Sequence, residues 1–224
     1  NLVEVFAEVR RVLKDDGTLW LNLGDSYGLK PKDLIGIPWR VAFALQADGW
    51  YLRQDIIWAK PNPMPESVKD RCTKSHEYLF LLSKSPKYYY NNEAIKEPSL
   101  GLGKTVIRFG GNKYGDSDDP KHATKSGNEY TDSGKRNKRD VWTINAKPFK
   151  GAHFATMPEA LVEPCVLAGS REGDIVLDPF LGSGTVAVVA ELHRRNWIGC
   201  ELNPDYAAIS EARIESARPE MELF

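Results

Sequence analysis

Apolar residues follow two alternating patterns along the chain. Apolar positions spaced three and four apart predict helices, whereas short apolar runs bounded by turn residues predict strands. The predicted helices are residues 2–13, 34–47, about 158–169 and 184–194, and a last helix from Pro204. The predicted strands are Thr18–Leu23, Tyr51–Trp58, Glu77–Ser83, Asp174–Asp178 and Trp197–Glu201. Because these strands are largely apolar on both faces, the pattern predicts an α/β fold with helices covering the sheet.

The alternation is interrupted between residues 99 and 140. This stretch is rich in Gly, Ser, Asn, Asp and Lys and has almost no periodic apolar pattern, so we interpret it as an insertion between 1–98 and 141–224. Its composition cannot bury enough apolar surface to fold alone, which predicts poor order. A modest basic excess is concentrated near its end, at Lys135, Arg136, Lys138 and Arg139. A solvated loop and a substrate-contacting segment both fit this charge pattern.

Composition excludes several classes of protein. A chain of 224 residues can bury a core without disulfides or metal clips. Three scattered cysteines without a CxxC pair, and four scattered histidines, indicate neither a disulfide framework nor a metal site, and they favour a reducing cytoplasm. No apolar run is long enough for a membrane helix, and no signal peptide is recognisable. The formal net charge of −1 neither demands nor excludes a nucleic-acid partner.

A glycine loop near the end of the chain carries the main chemical signal. Asp178-Pro179-Phe180-Leu181-Gly182-Ser183-Gly184-Thr185 follows an apolar strand and precedes a predicted helix. A helix N-terminus behind a glycine loop suits polar or anionic ligand groups. The loop lacks the Gly-Lys-Ser/Thr of a phosphate-binding P-loop but fits the GxGxxA variant of the dinucleotide fingerprint. Glu201, at the end of the next strand, is placed to bind both ribose hydroxyls. This pattern predicts a nucleoside ligand, either a dinucleotide or S-adenosylmethionine.

The position of this loop in the chain is unusual for a nicotinamide-binding domain. There the glycine loop follows the first strand, and several strands come after it. Here only the strand Trp197–Glu201 follows, so the order of elements indicates a permuted fold.

Five motifs, in the expected order and spanning nearly the whole chain, resemble those of the exocyclic-amino DNA methyltransferases with permuted strand order. Residues 178–185 resemble the cofactor loop of that family, and residues 199–206 resemble its ribose-binding strand end. Residues 153–158 align with a segment that the family usually has as HPTQKP, although four of the six positions differ. Upstream, residues 22–25 resemble the strand end that closes the cofactor pocket. The segments 57–63 and 75–78 resemble those lining the target base.

The resemblance implies a Rossmann-like, S-adenosylmethionine-dependent methyltransferase sheet in permuted order, with a polar target-recognition insertion at 99–140. It implies a cofactor site formed by Asn22, Asp25, His153, Phe154, Ala155, Thr156, Asp178, Phe180, Gly182, Ser183, Gly184, Thr185, Glu201 and Asn203. It also implies double-stranded DNA as the partner, contacted by Lys60, Lys69, Arg71, Lys74, Lys135, Arg136, Lys138 and Arg139. The segments 22–27 and 147–153 favour N4 of cosubstrate cytosine over N6 of adenine as the methylated amine.

One family motif is absent. The catalytic tetrad, Asp/Asn/Ser-Pro-Pro-Tyr/Trp, is expected at a strand end before the first helix, yet the sequence contains no Pro-Pro pair. Since the chain starts with Asn1, we interpret the tetrad as lying upstream and expect the 224 residues alone to be inactive.

Other functions remain open at this point. A nicotinamide-dependent oxidoreductase fits the fingerprint, and a non-catalytic DNA-binding fragment fits the missing tetrad. A C5-cytosine mechanism would need a nucleophilic thiol, but Cys165 lies in a helical pattern and is interpreted as a buried structural residue. The recognition sequence, the oligomeric state and a cognate restriction endonuclease are left open, in a bacterial, archaeal or phage-encoded setting.

Overall fold

The computed structural model describes residues 1–28, 30–99, 106–108, 129–131, 134–146 and 157–218, with the backbone alone for 106–108 and 129–131. The helices are α1 (Leu2–Val12), α2 (Ile37–Ala47), α3 (Glu159–Gly169), α4 (Thr185–Leu192) and α5 (Pro204–Ala217). The strands are β1 (Thr18–Leu23), β2 (Tyr51–Ala59), β3 (His76–Ser83), β4 (Glu97–Pro98), β5 (Val106–Arg108), β6 (Glu129–Thr131), β7 (Lys135–Arg136), β8 (Val141–Thr143), β9 (Ile175–Asp178) and β10 (Asn196–Gly199).

A four-stranded sheet forms the first half of the main unit. Its order is β1-β3-β2-β8, in which β3 is antiparallel to both neighbours and β8 is parallel to β2. The apolar faces that the sequence predicted pack against α1 and α2 through buried Phe6, Leu45, Trp50 and Phe80. On the other face, Trp58 and Trp142 pack with residues of α3. The sheet is therefore covered by helices on both faces, as in an α/β fold.

A second sheet, the parallel pair β9 and β10, carries the glycine loop at its carboxyl end. Residues 175–178 pair in register with residues 196–199. Helix α4 connects the two strands and is buried along most of its length by packing against α3 on one side and α5 on the other. A strand, a crossover helix and a parallel strand form the unit that generates a ligand site at the carboxyl ends of the strands.

Residues 95–138 form a separate compact unit from residues 1–94 and 139–224. Its described parts contain two short antiparallel pairs, β4 with β7 and β5 with β6. The composition of 99–140 did not predict these strands, which are only two or three residues long and have no apolar alternation. The other residues of this insertion lie outside the described part, so the prediction of poor order for them stays a prediction.

Most predicted elements occur within a few residues of their expected limits. Helix α2 is shorter than predicted, beginning at Ile37 instead of 34, because Gly36 has a left-handed conformation with φ of 75° and Leu34 forms a bridge with Tyr27. The strand predicted to reach Glu201 ends at Gly199. Within the described residues, no helix is both long and apolar enough to cross a lipid bilayer.

Candidate active site

The glycine loop makes a tight turn between β9 and α4. Gly182 and Gly184 have φ values of 53° and 81°, a region in which a side chain at Cβ is strained. A Cβ on Gly184 would lie 2.8 Å from Cβ of Ser210 on α5, so this position has no room for a larger residue. The loop therefore needs glycine at 184 for both its backbone conformation and its close packing.

Glu201 is the second half of the predicted cofactor site, and it closes on the glycine loop. Its Oε2 accepts a hydrogen bond of 2.8 Å from the backbone N–H of Gly182, and its Oε1 accepts one of 2.8 Å from that of Asn203. These backbone donors, Asn203 foremost, lower the pKa of Glu201 below its usual value. The side chain is thus an ionised acceptor whose remaining lone pairs can take ribose hydroxyls.

Asp178 lies at the end of β9, where burial is the main cause that raises the pKa of its carboxyl group. The negative charge of Glu201 acts in the same direction. Its Oδ1 accepts a 2.9 Å hydrogen bond from the backbone N–H of Phe180. A positively charged ligand group nearby would favour the ionised form of Asp178.

Two apolar side chains at this site are exposed to solvent. Phe180 is 55% exposed and contacts the ring of Phe6 edge to face, and Leu202, directly after Glu201, is 102% exposed. Exposed apolar side chains beside a polar ribose-binding carboxylate suit the flat faces of a purine. Leu202 was missed in the sequence because its exposure depends on the sharp turn into α5.

The other predicted residues of the loop contact the protein. The side chain of Asn203 caps α5 by accepting a 2.9 Å hydrogen bond from the backbone N–H of Asp205. Ser183 and Thr185 accept hydrogen bonds from Arg213 of α5, a residue that the sequence analysis did not single out. The predicted contacts of His153, Phe154, Ala155 and Thr156 lie outside the described residues.

Asn22 and Asp25, at the carboxyl end of β1, are engaged within their own neighbourhood. The amide of Asn22 donates a 3.1 Å hydrogen bond to the carbonyl of Tyr78 on β3. One carboxylate oxygen of Asp25 accepts backbone hydrogen bonds from Ser26, Gly36 and Ile37 at 2.8 to 3.0 Å. Asp25 thus caps α2 from a distance, and neither residue has a printed bond to the glycine loop; their cofactor contacts stay predictions.

The cations predicted to contact DNA near the base-side segments mostly have internal partners. Lys60 pairs with Glu77 and lies 4.2 Å from the centre of the Trp58 ring. Lys74 donates to the carbonyl of Asp25. Lys69 is exposed and has no ion pair among the described residues.

Arg71 is held more firmly than the other cations of this loop. It donates hydrogen bonds of 2.6 and 3.3 Å to the two carboxylate oxygens of Glu66, and it lies over the ring of Tyr27. This bond raises the pKa of Arg71 and lowers that of Glu66. Phosphate contacts by Arg71 would therefore compete with Glu66.

Among the basic residues near the end of the insertion, Arg136 donates a 2.9 Å hydrogen bond to Glu97 across β7 and β4. Lys135 and Arg139 are exposed, and Lys138 is half-buried. Their contacts with DNA stay predictions.

The chain matches known proteins over most of its length. The sequence pattern of the family described as DNA methylase matches residues 1–212. The Type II methyltransferase M.Cfr9I of Citrobacter freundii is 48% identical over 96% of this chain and 70% of its own length. The Type II methyltransferase M.SmaI of Serratia marcescens is 50% identical over 96% of this chain and 73% of its own length.

Solved structures have the same fold. The cytosine-N4-specific PvuII DNA methyltransferase superposes with a TM-score of 0.71 at 20% identity, covering 99% of this chain and 72% of that chain. The M1.HpyAVI–SAM complex superposes with a TM-score of 0.63 at 20% identity, covering 95% of this chain and 82% of that chain. These likenesses confirm the predicted Rossmann-like fold, in which the glycine loop and the strand end with Glu201 come last along the chain. The chain belongs to the DNA methylase family, whose members use S-adenosylmethionine to methylate DNA.

Proposed function

We propose that this enzyme transfers the methyl group of S-adenosylmethionine to the exocyclic N4 amine of a cytosine within a specific DNA sequence. The glycine loop closed by Glu201 is the observation that carries the proposal, because it forms a nucleoside site beside a loop suited to close backbone approach. N4 of cytosine is favoured by the resemblance of segments 22–27 and 147–153 to that branch. N6 of adenine is the alternative.

The residues at the carboxyl ends of β9 and β10 fit S-adenosylmethionine. Glu201 offers an ionised carboxylate to the ribose, and exposed Phe180 and Leu202 offer apolar surface to the adenine. Asp178, partly buried and anionic when a cation is near, suits the positively charged methionine portion. The cofactor, when bound, supplies an electrophilic methyl group.

Direct transfer requires the target amine to be reshaped. The lone pair of an exocyclic amine is delocalised into the base, so acceptors for its two N–H bonds are needed to make the nitrogen nucleophilic. The base must also leave the duplex, because its amine is otherwise paired. We propose that Lys60 and Glu77, paired at the ends of β2 and β3, form part of the wall of the base-side pocket.

We also propose that residues 99–140 recognise the DNA sequence, as their position between the base-side segments and the cofactor half suggests by resemblance to the family. The basic residues Lys135, Arg136, Lys138 and Arg139 would contact phosphates and guanine. By analogy with the Type II relatives, a restriction endonuclease with the same recognition site is the expected genetic partner. The absence of cysteine pairs suits a cytoplasmic enzyme.

The target base is tested with the full-length enzyme, tritiated S-adenosylmethionine and duplex DNA. After enzymatic digestion of the DNA to nucleosides, chromatography should find the label in N4-methylcytidine. Label in N6-methyladenosine would overturn the assignment of the base but keep the enzyme class. Label in C5-methylcytosine would overturn the mechanism. Glu201→Ala is the matched control, because it should lower the yield at limiting cofactor.

Recognition by the insertion is tested by neutralising Lys135, Arg136, Lys138 and Arg139 together. Each lost phosphate contact releases fewer counterions, so DNA affinity should fall and its salt dependence should flatten by roughly 0.9 per contact. Affinity for S-adenosylmethionine should stay unchanged. A variant with the wild-type salt slope would place recognition elsewhere. Lys87→Ala, at an exposed residue outside the insertion, is the control.

A further inference from the structure

The glycine loop is held at two points by side chains that belong to other elements. Glu201 accepts a hydrogen bond from the backbone N–H of Gly182 at 2.8 Å. One residue further along, the carbonyl of Ser183 accepts a 2.6 Å hydrogen bond from Nη1 of Arg213. A carboxylate thus binds a loop donor and a guanidinium binds a loop acceptor, which fixes two consecutive peptide groups.

Arg213 makes several contacts with the region where the loop turns into α4. The same Nη1 donates to the hydroxyl of Ser183 at 2.9 Å and to that of Thr185 at 3.4 Å, while Nη2 lies 3.5 Å from Glu159 at the start of α3. The side chain is 22% exposed. Arg213 therefore links α5 to the loop, to α4 and to α3 through a single planar group.

The position of Arg213 is not one that helix electrostatics would favour. The N-terminus of α4 carries partial positive charge, and a cation beside it is normally destabilising. This cost is offset by the bonds to the Ser183 carbonyl and by the charge of Glu159. A cation kept at an unfavourable helix end indicates that its hydrogen bonds to the loop have a purpose beyond helix stability.

Helix α5 is aligned so that two of its residues face the loop together. Ser210 and Arg213 are three positions apart and so lie on the same side of the helix. Ser210 is 1% exposed and lies against Gly184, where only a glycine fits. Ser210 therefore sets the distance between α5 and the loop, and Arg213 sets the direction of the Ser183 carbonyl.

We propose that Arg213 is a positioning residue that holds the Ser183–Gly184 peptide in the orientation that binds S-adenosylmethionine. The peptide group is planar, so fixing the Ser183 carbonyl toward α5 also fixes the N–H of Gly184, which bonds to the carbonyl of Leu181 at 2.9 Å. Without Arg213 this peptide is free to rotate, and binding must then supply the cost of ordering it. The proposal rests on the cofactor site assigned above.

The test compares cofactor binding by the full-length enzyme and three variants. Arg213→Met keeps the apolar stem and removes the guanidinium, whereas Arg213→Lys keeps the charge and one donor. Arg218→Ala is the matched control, because Arg218 is an exposed arginine of the same helix end that pairs with Glu191, away from the loop. Dissociation constants for S-adenosylmethionine are measured by calorimetry, and thermal unfolding is measured in parallel.

We expect Arg213→Met to weaken cofactor binding about tenfold, equivalent to about 1.4 kcal/mol. Arg213→Lys should recover part of this loss, to about threefold weaker than wild type. The KM for S-adenosylmethionine should rise in both variants, whereas kcat at saturating cofactor should change by less than about twofold, since ordering is a binding cost. Arg218→Ala should bind as wild type does.

A purely structural role would give a different result. If both Arg213 variants unfold at lower temperature but bind the cofactor within about twofold of wild type when folded, the proposal is overturned. If Arg213→Met does not fold, the Arg213→Lys variant decides by the same criterion. Binding by wild type that Glu201→Ala weakens and the Arg213 variants do not would overturn this proposal alone. Wild-type enzyme that binds no S-adenosylmethionine would overturn the proposed function.

Discussion

Replacement of Glu201 gives the sharpest test of the cofactor site. Its two oxygens already accept backbone hydrogen bonds from Gly182 and Asn203 at 2.8 Å each, so the carboxylate orders the site as well as contacting the ribose. Glu201→Ala removes these acceptors, whereas Glu201→Gln keeps one oxygen and turns an NH₂ group toward a backbone donor. Both variants should therefore bind less tightly, with alanine at least as damaging as glutamine.

The expected magnitude follows from the charge of the acceptor. A hydrogen bond to a charged group contributes about 1.5 to 3 kcal/mol net. Loss of a single ribose contact of this kind weakens binding by at least about tenfold, and disorder of the Gly182 peptide adds to it. We expect Glu201→Ala to raise the dissociation constant for S-adenosylmethionine by at least about tenfold.

The assay is isothermal calorimetry with S-adenosylmethionine and, separately, S-adenosylhomocysteine. Both ligands carry the same ribose, so both should lose affinity to a similar degree. Glu211→Ala, an exposed glutamate on α5, is the control and should bind as wild type does. A dissociation constant for Glu201→Ala within about twofold of wild type would refute the assignment of the ribose site. Tighter binding of NAD than of either ligand would refute the choice of cofactor.

Three further perturbations test separate parts of the same structure. Gly184→Ala should lower the free energy of unfolding by about 2 kcal/mol or more, because it adds a clash with Ser210 to the strain of a positive φ. Gly173→Ala, with a similar φ but open space, should cost only about 1 kcal/mol, and equal losses in urea denaturation would contradict this. Asp178→Asn removes an acid whose pKa is raised by burial. Wild type loses stability as pH rises through that raised pKa, so the variant should gain thermal stability relative to wild type above it, and a pH-independent difference would show that the charge has no cost. Asp25→Ala leaves three backbone donors without their acceptor and should cost about 1 to 2 kcal/mol in guanidinium denaturation, with an unchanged midpoint counting against its capping role.

The helices and the longer strands could be predicted because each has a distinct apolar period and ends in turn residues. The start of α2 could not, because it depends on Asp25, eleven residues before Gly36, bonding to the first turn of the helix. The pairs β4–β7 and β5–β6 were missed for another reason. Each strand is too short for alternation to be recognised, and its pairing depends on residues about 25 to 40 positions away.

The glycine loop and Glu201 could be predicted because their residue types follow directly from the fingerprint. The state of the cations could not. Arg71 and Lys60 look equally available in the sequence, yet Glu66 and Glu77 bind them in the structure. Arg213 was missed because its role depends on the packing of α5 against a loop that lies 30 residues earlier. Local patterns identify residues with a chemical role, whereas the residues that hold them in place are known only from the fold.

The two sheets also differ in how far apart along the chain their paired strands lie, which bears on the order of folding. Strands β9 and β10 are joined by one short helix, so closing their loop costs little entropy. In the four-stranded sheet, β8 pairs with residues 57–59 of β2 across more than 80 residues that include the whole insertion. Contacts between distant residues form slowly because the loop entropy is lost before the contacts compensate. We therefore expect the cofactor half to gain its structure first and the docking of β8 to be a late folding step.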